Sequence, residues 1–274
     1  MLYSQQDISN FNEQQFAYII AEEKDNVLYI TLNRPEKRNA FHLPLTCELA
    51  YALAYAHYNN NIWCVVLKAN GPTFCAGADL KAFAGENTAE KQSTIPMPKD
   101  MVKLGDEFNG LHKPCIAQVH ADVYAGGFLM IGGCTHVIAV EDAKFGLPEV
   151  KRGIFPFQVM ATLEPLMSAR QLLDLCIRAK TLTAKEAKEI GLVSEVVATN
   201  NLENRVQALI AEIKEQSPTA IRLGLKAFQE MKTKSADEKH KYLHAMLMEC
   251  LKSKDAAEGL TAFKEKRKPN WIGN

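Results

Sequence analysis

At 274 residues the chain is long enough for one large domain, or for one domain with an appendage, and either size buries a substantial core. Lysine plus arginine equals aspartate plus glutamate at 32 each, so no global basic field recruits nucleic acid and no charge bias holds the chain at a membrane surface. The balance favours a small-molecule partner. Seven scattered cysteines (Cys47, Cys64, Cys75, Cys115, Cys134, Cys176, Cys250) with no C-x-x-C pair point to reduced thiols rather than a disulfide framework or a structural zinc site. Residues 1–15 are polar and carry Asp7 and Glu13 where a secretion signal would be basic and then apolar, and no later run approaches the roughly 18 apolar residues of a membrane span. A cytoplasmic protein is expected.

In chain order, Val27-Leu28-Tyr29-Ile30-Thr31-Leu32 is a β-rich run ended by Asn33 and Pro35, and residues 43–58 then carry apolar residues at helical spacing. The strand-turn-helix unit recurs: Trp63-Cys64-Val65-Val66-Leu67 precedes a turn at Ala76, Cys115-Ile116-Ala117-Gln118-Val119 precedes a turn at Gly126, and Val137-Ile138-Ala139-Val140 follows. Short apolar strands alternating with helices predict an α/β sheet with covered faces. Residues 82–103, polar and holding Ile95-Pro96-Met97-Pro98, read as a mobile loop over the site. Beyond Gly153 the character turns helical. Thr183-x-x-Glu186 is a capping-box signature, and 202–213, 219–231 and 237–251 are helical stretches.

Two turns carry the chemistry. Ala76-Gly77-Ala78-Asp79-Leu80 follows one apolar run and Ala125-Gly126-Gly127 follows another about fifty residues later. Strand-to-helix turns of this kind can each aim a backbone N–H at one point, and two preorganised donors at one point stabilise a developing oxyanion. Glu149, in Phe145-Gly146-Leu147-Pro148-Glu149, supplies a carboxylate that can move protons for that oxyanion. His240 and His244 stand one helical turn apart, but no third ligand is near, and an ordinary surface-to-core helix is the simpler reading; no metal is expected.

Together with Asn33-Arg34-Pro35-Glu36-Lys37-Arg38-Asn39-Ala40, these segments resemble the enoyl-CoA hydratase/isomerase family, the crotonases, from about Val27 to the Lys264-Glu265-Lys266-Arg267-Lys268-Pro269 tail. The resemblance implies a spiral of repeated ββα units over residues 1–200. It also implies a helical region, 201–274, that serves self-association as a trimer or a pair of trimers. It implies acyl-CoA thioester substrates, with coenzyme A as part of the substrate and no separate cofactor. By the family pattern the oxyanion donors are the N–H groups of Ala78 and Gly127, and Glu149 is the catalytic carboxylate. Adenine and pantetheine contacts fall along Ala76, Asp79, Leu80 and Lys81, phosphates near Lys37 and Arg38, and Phe263 and Lys266 complete a neighbour's nucleotide site.

One departure bears on the reaction. Hydratases of this family carry a second glutamate three residues after the second glycine of the turn, and this chain has Met130 there, lining the acyl pocket. A thioether neither holds nor delivers a proton. Hydration of a conjugated thioester shares its proton work between two carboxylates, whereas moving a double bond between the 3 and 2 positions needs only one. The expectation is therefore an enolate-stabilising acyl-CoA enzyme with isomerase-like chemistry at Glu149, ahead of a hydratase with rearranged acid-base groups or a catalytically silent acyl-CoA binder.

Overall fold

The structure is a computed structural model that describes residues 1–86 and 91–274. In chain order its elements are β1 (Ile19–Lys24), β2 (Val27–Leu32), α1 (Leu43–Tyr58), β3 (Cys64–Ala69), α2 (Leu80–Phe83), α3 (Leu104–Gly110), β4 (Cys115–Val119), β5 (Val123–Tyr124), α4 (Gly127–Ile131), β6 (His136–Val140) and β7 (Lys144–Gly146). There follow α5 (Phe157–Leu163), α6 (Ala169–Arg178), β8 (Thr181–Thr183), α7 (Ala184–Glu189), β9 (Glu195–Val197), α8 (Leu202–Lys214), α9 (Pro218–Glu230), α10 (Ala236–Leu251) and α11 (Lys254–Glu265).

Strands β1-β2-β3-β4-β6-β9 pair in that order, antiparallel at β1 and parallel thereafter. The β1–β2 hairpin turns at Asp25 and Asn26, both left-handed at φ 51° and 65°, as a two-residue turn between twisted strands requires. A second layer holds β5-β7-β8 and is extended by single parallel bridges, Cys75 to Val123 and Phe41 to Ala78. Each turn of the chain thus runs a strand through the first sheet, touches the second layer, and enters a helix. β2 leads to Phe41 and α1, β3 to Cys75–Ala78 and α2, β4 to β5 and α4, and β6 to β7 and a 3-10 turn at Glu149–Arg152. This is the expected spiral of ββα units.

Helix α1, expected from apolar residues at helical spacing, is buried on nearly every side from Leu45 to Ala56. Its alanines at 50, 52, 54 and 56 let neighbours approach it all round. Its one buried carboxylate, Glu48, accepts the N–H groups of Ala17, Tyr18 and Ile19 at 2.8–2.9 Å. Burying a charge is costly unless it is hydrogen-bonded, and these three donors serve that need while docking the start of β1.

The expected mobile loop at 82–103 is corrected in part. Residues 87–90 lie outside the described residues. Of the rest, α2 takes the start, and 91–96 is tied down: Lys91 exchanges hydrogen bonds with the Tyr18 hydroxyl, the Tyr3 hydroxyl donates to Pro96 O, and Ile95 is buried.

The expected division at 200/201 also shifts. Leu202, Val206, Leu209 and Ile210 of α8 pack into the main core against β4 and β6, so the layer standing apart is α9–α11, with its own small cluster of Leu223, Ala227 and Met246. Both helices of that cluster leave large apolar side chains exposed, among them Phe228 and Leu247. Asp255, at the start of α11, ties the chain end to this layer by accepting the N–H groups of Thr219, Ile272 and Gly273 and the Ser217 hydroxyl at 3.0–3.2 Å. Burial alone would raise its pKa, but these donors outweigh it and hold the carboxyl below its usual range. That stabilisation is therefore complete above the unfolded value near pH 4 and is lost as pH falls through the folded value. Replacing Asp255 by Asn should cost about 1.5–3 kcal/mol, since the lost bonds are to a charged group. Urea unfolding at pH 7 checks this, and the difference from wild type should shrink at pH 3.

Candidate active site

The site is assembled from consecutive turns where the second layer passes into a helix. In the first, Arg34 is 1 % exposed, and its Nη1 donates to Asp79 Oδ2 and Ala40 O, each at 2.8 Å. Asn39 accepts the Arg34 N–H and donates to Asn70 O and Thr73 O. The Asn33–Ala40 motif is thus mostly a brace between adjacent turns. Arg38 and Asn39 are both left-handed, at φ 51° and 52°, and this bend separates the two basic side chains read as one phosphate cluster. Lys37 borders the large cavity described below, and Arg38 borders a smaller adjoining one.

In the second turn the Phe41 N–H donates to Gly77 O at 2.9 Å and the Asp79 N–H to Phe41 O at 2.8 Å. A trans peptide points its C=O and N–H in opposite directions, so the Ala78 N–H leaves away from Phe41. The Asp79 side chain, expected to contact the ligand, takes the Arg34 guanidinium and caps α2 through the Lys81 N–H. Burial would raise its pKa, and these partners more than reverse that.

In the third turn Ala125 is left-handed at φ 52°, and its N–H donates to Gly146 O. The Ala125 carbonyl accepts from Phe128, so the Gly126 N–H points out of the start of α4. Among the described residues none of the Ala78, Gly126 and Gly127 N–H groups donates to another protein group. The two turns touch. A Cβ on Gly77, itself at φ 93°, would lie 2.5 Å from Ala125 Cβ, and one on Gly126 would lie 2.6 Å from the Phe41 ring and 3.7 Å from Ala78 N.

These turns enclose a cavity of about 920 Å³ that reaches Ala76, Ala78, Leu80, Lys81, Ala125, Gly126, Leu129 and Glu149 and is closed on its apolar side by Phe155, Phe157 and Val159. The expectation at Met130 is corrected by one residue, and Gly126 joins Gly127 as a candidate donor. A Cβ on Gly127 would lie 2.9 Å from Val123 and 3.0 Å from Cys75, so its small size serves packing, while its N–H, like that of Gly126, has no protein acceptor among the described residues; Gly126 borders the cavity. Met130 is fully buried in the core, and Leu129 is the α4 side chain on the cavity wall. Four consecutive apolar residues, Phe128-Leu129-Met130-Ile131, contain no periodic signal that selects which of them turns toward the ligand. Phe263 and Lys266 lie on exposed backbone at the end of α11, outside this chain's own cavity.

Glu149 opens the 3-10 turn after Pro148, and its Oε2 is buried with no hydrogen-bond partner among the described residues. Desolvation raises its pKa above the usual carboxylate range, opposed by its own backbone N–H and by the positive charge of Arg152. Among the described residues the other carboxylates on the cavity are Asp79, committed to Arg34, and Glu86, which is exposed. Sequence reading had also passed over Arg34, Phe41 and Arg152. Their signals were present as an arginine before Pro35 and a basic pair in the turn begun by Glu149.

The chain matches the enoyl-CoA hydratase/isomerase family model over residues 22–274. It is 31 % identical to the enoyl-CoA hydratase EchA19 of Mycobacterium tuberculosis over 92 % of this chain and 95 % of that one. It is 30 % identical to the short-chain-enoyl-CoA hydratase of Clostridium acetobutylicum over 93 % and 98 %. The crystal structure of an enoyl-CoA hydratase from Bacillus anthracis superposes with a TM-score of 0.82 at 29 % identity, covering 94 % of this chain and all of that one. With a family match across nearly its whole length and a spiral that superposes on solved members, the chain belongs to the enoyl-CoA hydratase/isomerase family.

Proposed function

We propose that the protein binds an acyl-CoA thioester with its carbonyl oxygen between the N–H groups of Ala78 and Gly126, and that Glu149 alone carries protons in a 3-enoyl to 2-enoyl double-bond migration. The observation that carries this reading is the buried, unpartnered Glu149 Oε2 on a cavity whose α4 wall presents Leu129 rather than a carboxylate. Glu149 removes a proton from C2, the charge spreads into a dienolate held by the two N–H groups, and the same proton returns at C4. Main-chain donors need no side-chain reorganisation as that charge develops, and each is worth about 2.7–4 kcal/mol. The pantetheine arm runs along Ala76, Leu80 and Lys81, with Lys37 toward the nucleotide. Phe263 and Lys266 reach a neighbouring subunit's nucleotide, and the exposed apolar face of α9 and α10 is covered in a trimer. Hydration with rearranged acid-base groups is the second reading, favoured by the hydratase names of the relatives.

Glu149→Gln should lower double-bond migration about 10²- to 10⁴-fold while changing acyl-CoA affinity by less than about threefold, because the amide keeps size and loses basicity. Steady-state kinetics with calorimetric binding separates the two effects, and undiminished turnover refutes the assignment.

Since the base must be ionised, kcat/KM should fall on acidification through a pKa above the usual glutamate value of about 4.3. Arg152 favours the charged form, so Arg152→Gln should move that acidic limb to higher pH. A shift to lower pH, or none, excludes Glu149 as the titrating group.

Leu129→Glu should supply the absent second carboxylate and raise the ratio of hydration to migration by about tenfold or more, within the usual range of general acid-base assistance. The ratio is read by following 2-enoyl-CoA absorbance against 3-enoyl-CoA conversion. Efficient hydration by the wild type would defeat the one-carboxylate reading.

A further inference from the structure

Behind the acyl cavity lies a second one of about 290 Å³, and Ala76 and Arg152 line both. Arg38, Lys151 and Arg152 are on its wall with Thr181 and Tyr124, and among the described residues no aspartate or glutamate lines it. Among the described residues none of the three basic side chains forms an ion pair. Of the carboxylates around it, Glu149 borders the acyl cavity and feels the charge of Arg152, and Asp122 is occupied: it accepts from the Tyr124 hydroxyl at 2.9 Å and from the Lys144 N–H at 2.9 Å. Like charges gathered at one concave surface repel, and an anion seated among them relieves that repulsion and takes charge-assisted hydrogen bonds.

The position selects the anion. Lys151 and Arg152 follow Glu149 within a single 3-10 turn, so the second cavity adjoins the point where protons are moved. The nucleotide phosphates of coenzyme A are held away from the thioester by the whole pantetheine arm, while a group on the far end of a short acyl chain lies close to it. We propose that this cavity holds a carboxylate at the distal end of the acyl chain, so that the preferred substrates are CoA monothioesters of short dicarboxylic acids. The proposal rests on the acyl-CoA reading given above and narrows its substrate class.

Glutaryl-CoA and pentanoyl-CoA test it, since the two have the same chain length, lack a double bond to react, and differ only in the terminal group. Calorimetric titration of the wild type should show glutaryl-CoA binding roughly tenfold or more tighter, the scale of one charge-assisted contact. In the Lys151→Gln variant that advantage should fall to about threefold or less, with pentanoyl-CoA affinity nearly unchanged. Lys151 is exposed, and the Lys151→Glu variant, which reverses its charge, should invert the preference. Equal wild-type affinity for the two thioesters overturns the dicarboxylate assignment and leaves the acyl-CoA reading intact. A parallel loss of both on substitution assigns the cations to coenzyme A phosphates and likewise overturns it. Binding of neither thioester removes the acyl-CoA reading itself.

Discussion

The close approach of two backbone turns is the constraint on which the site depends. The Gly77 turn and the Ala125–Gly126 turn meet at distances that admit no further carbon: a Cβ at Gly77 would overlap Ala125 and one at Gly126 would overlap Phe41. That contact brings Ala78 and Gly126 to one cavity wall with their N–H groups free of protein acceptors among the described residues. The cost is borne locally. Ala125 sits in the left-handed region, where an L-residue with a side chain is disfavoured by about 1–2 kcal/mol, and its N–H bond to Gly146 helps to hold it there.

Around that contact, charge is spent on bracing as much as on ligand. Arg34 and Asp79 form a buried pair between successive turns, and Asn39 ties the same loop to residues 70 and 73. Removing either member of a buried pair leaves an uncompensated charge, so the pair acts as a registration device for the Ala78 turn more than as a source of net stability. Glu149 is the contrast. Its Oε2 has burial without a partner among the described residues, which is poor for stability and raises its pKa, as suits a group proposed to exchange protons.

The spiral explains why these groups converge at all. Each turn contributes one segment to the second layer, and the parallel bridges Phe41–Ala78 and Cys75–Val123, with β5 on β7, set those segments side by side. Residues far apart in the chain, 78, 126 and 149, thereby occupy equivalent places in successive turns, each at a passage into a helix or 3-10 turn. Variation of single side chains at those places changes the proton inventory without disturbing the cradle.

Much of this was legible in the residues alone. The strands β2 and β4 and helix α1 have the bounds that hydrophobic runs and turn residues predict, because short parallel strands and a long apolar helix carry strong local signals. The Thr183–Glu186 capping box is present as expected, with reciprocal side-chain bonds. The short strands β5, β7, β8 and β9, two or three residues each, escaped, since no window that small has a period. So did β1, whose Glu22, Glu23 and Lys24 lie on an edge of the sheet open to water. By itself the sequence determined the family and the two turns, and it singled out Glu149 as the candidate carboxylate. Only the tertiary structure decided that Gly126 and Leu129, rather than the adjacent Gly127 and Met130, border the cavity, that Arg38 and Lys37 serve different cavities, and that α8 belongs to the core. Each of these is a question of which way one residue faces, and that direction is set by contacts with distant segments rather than by neighbours in the chain.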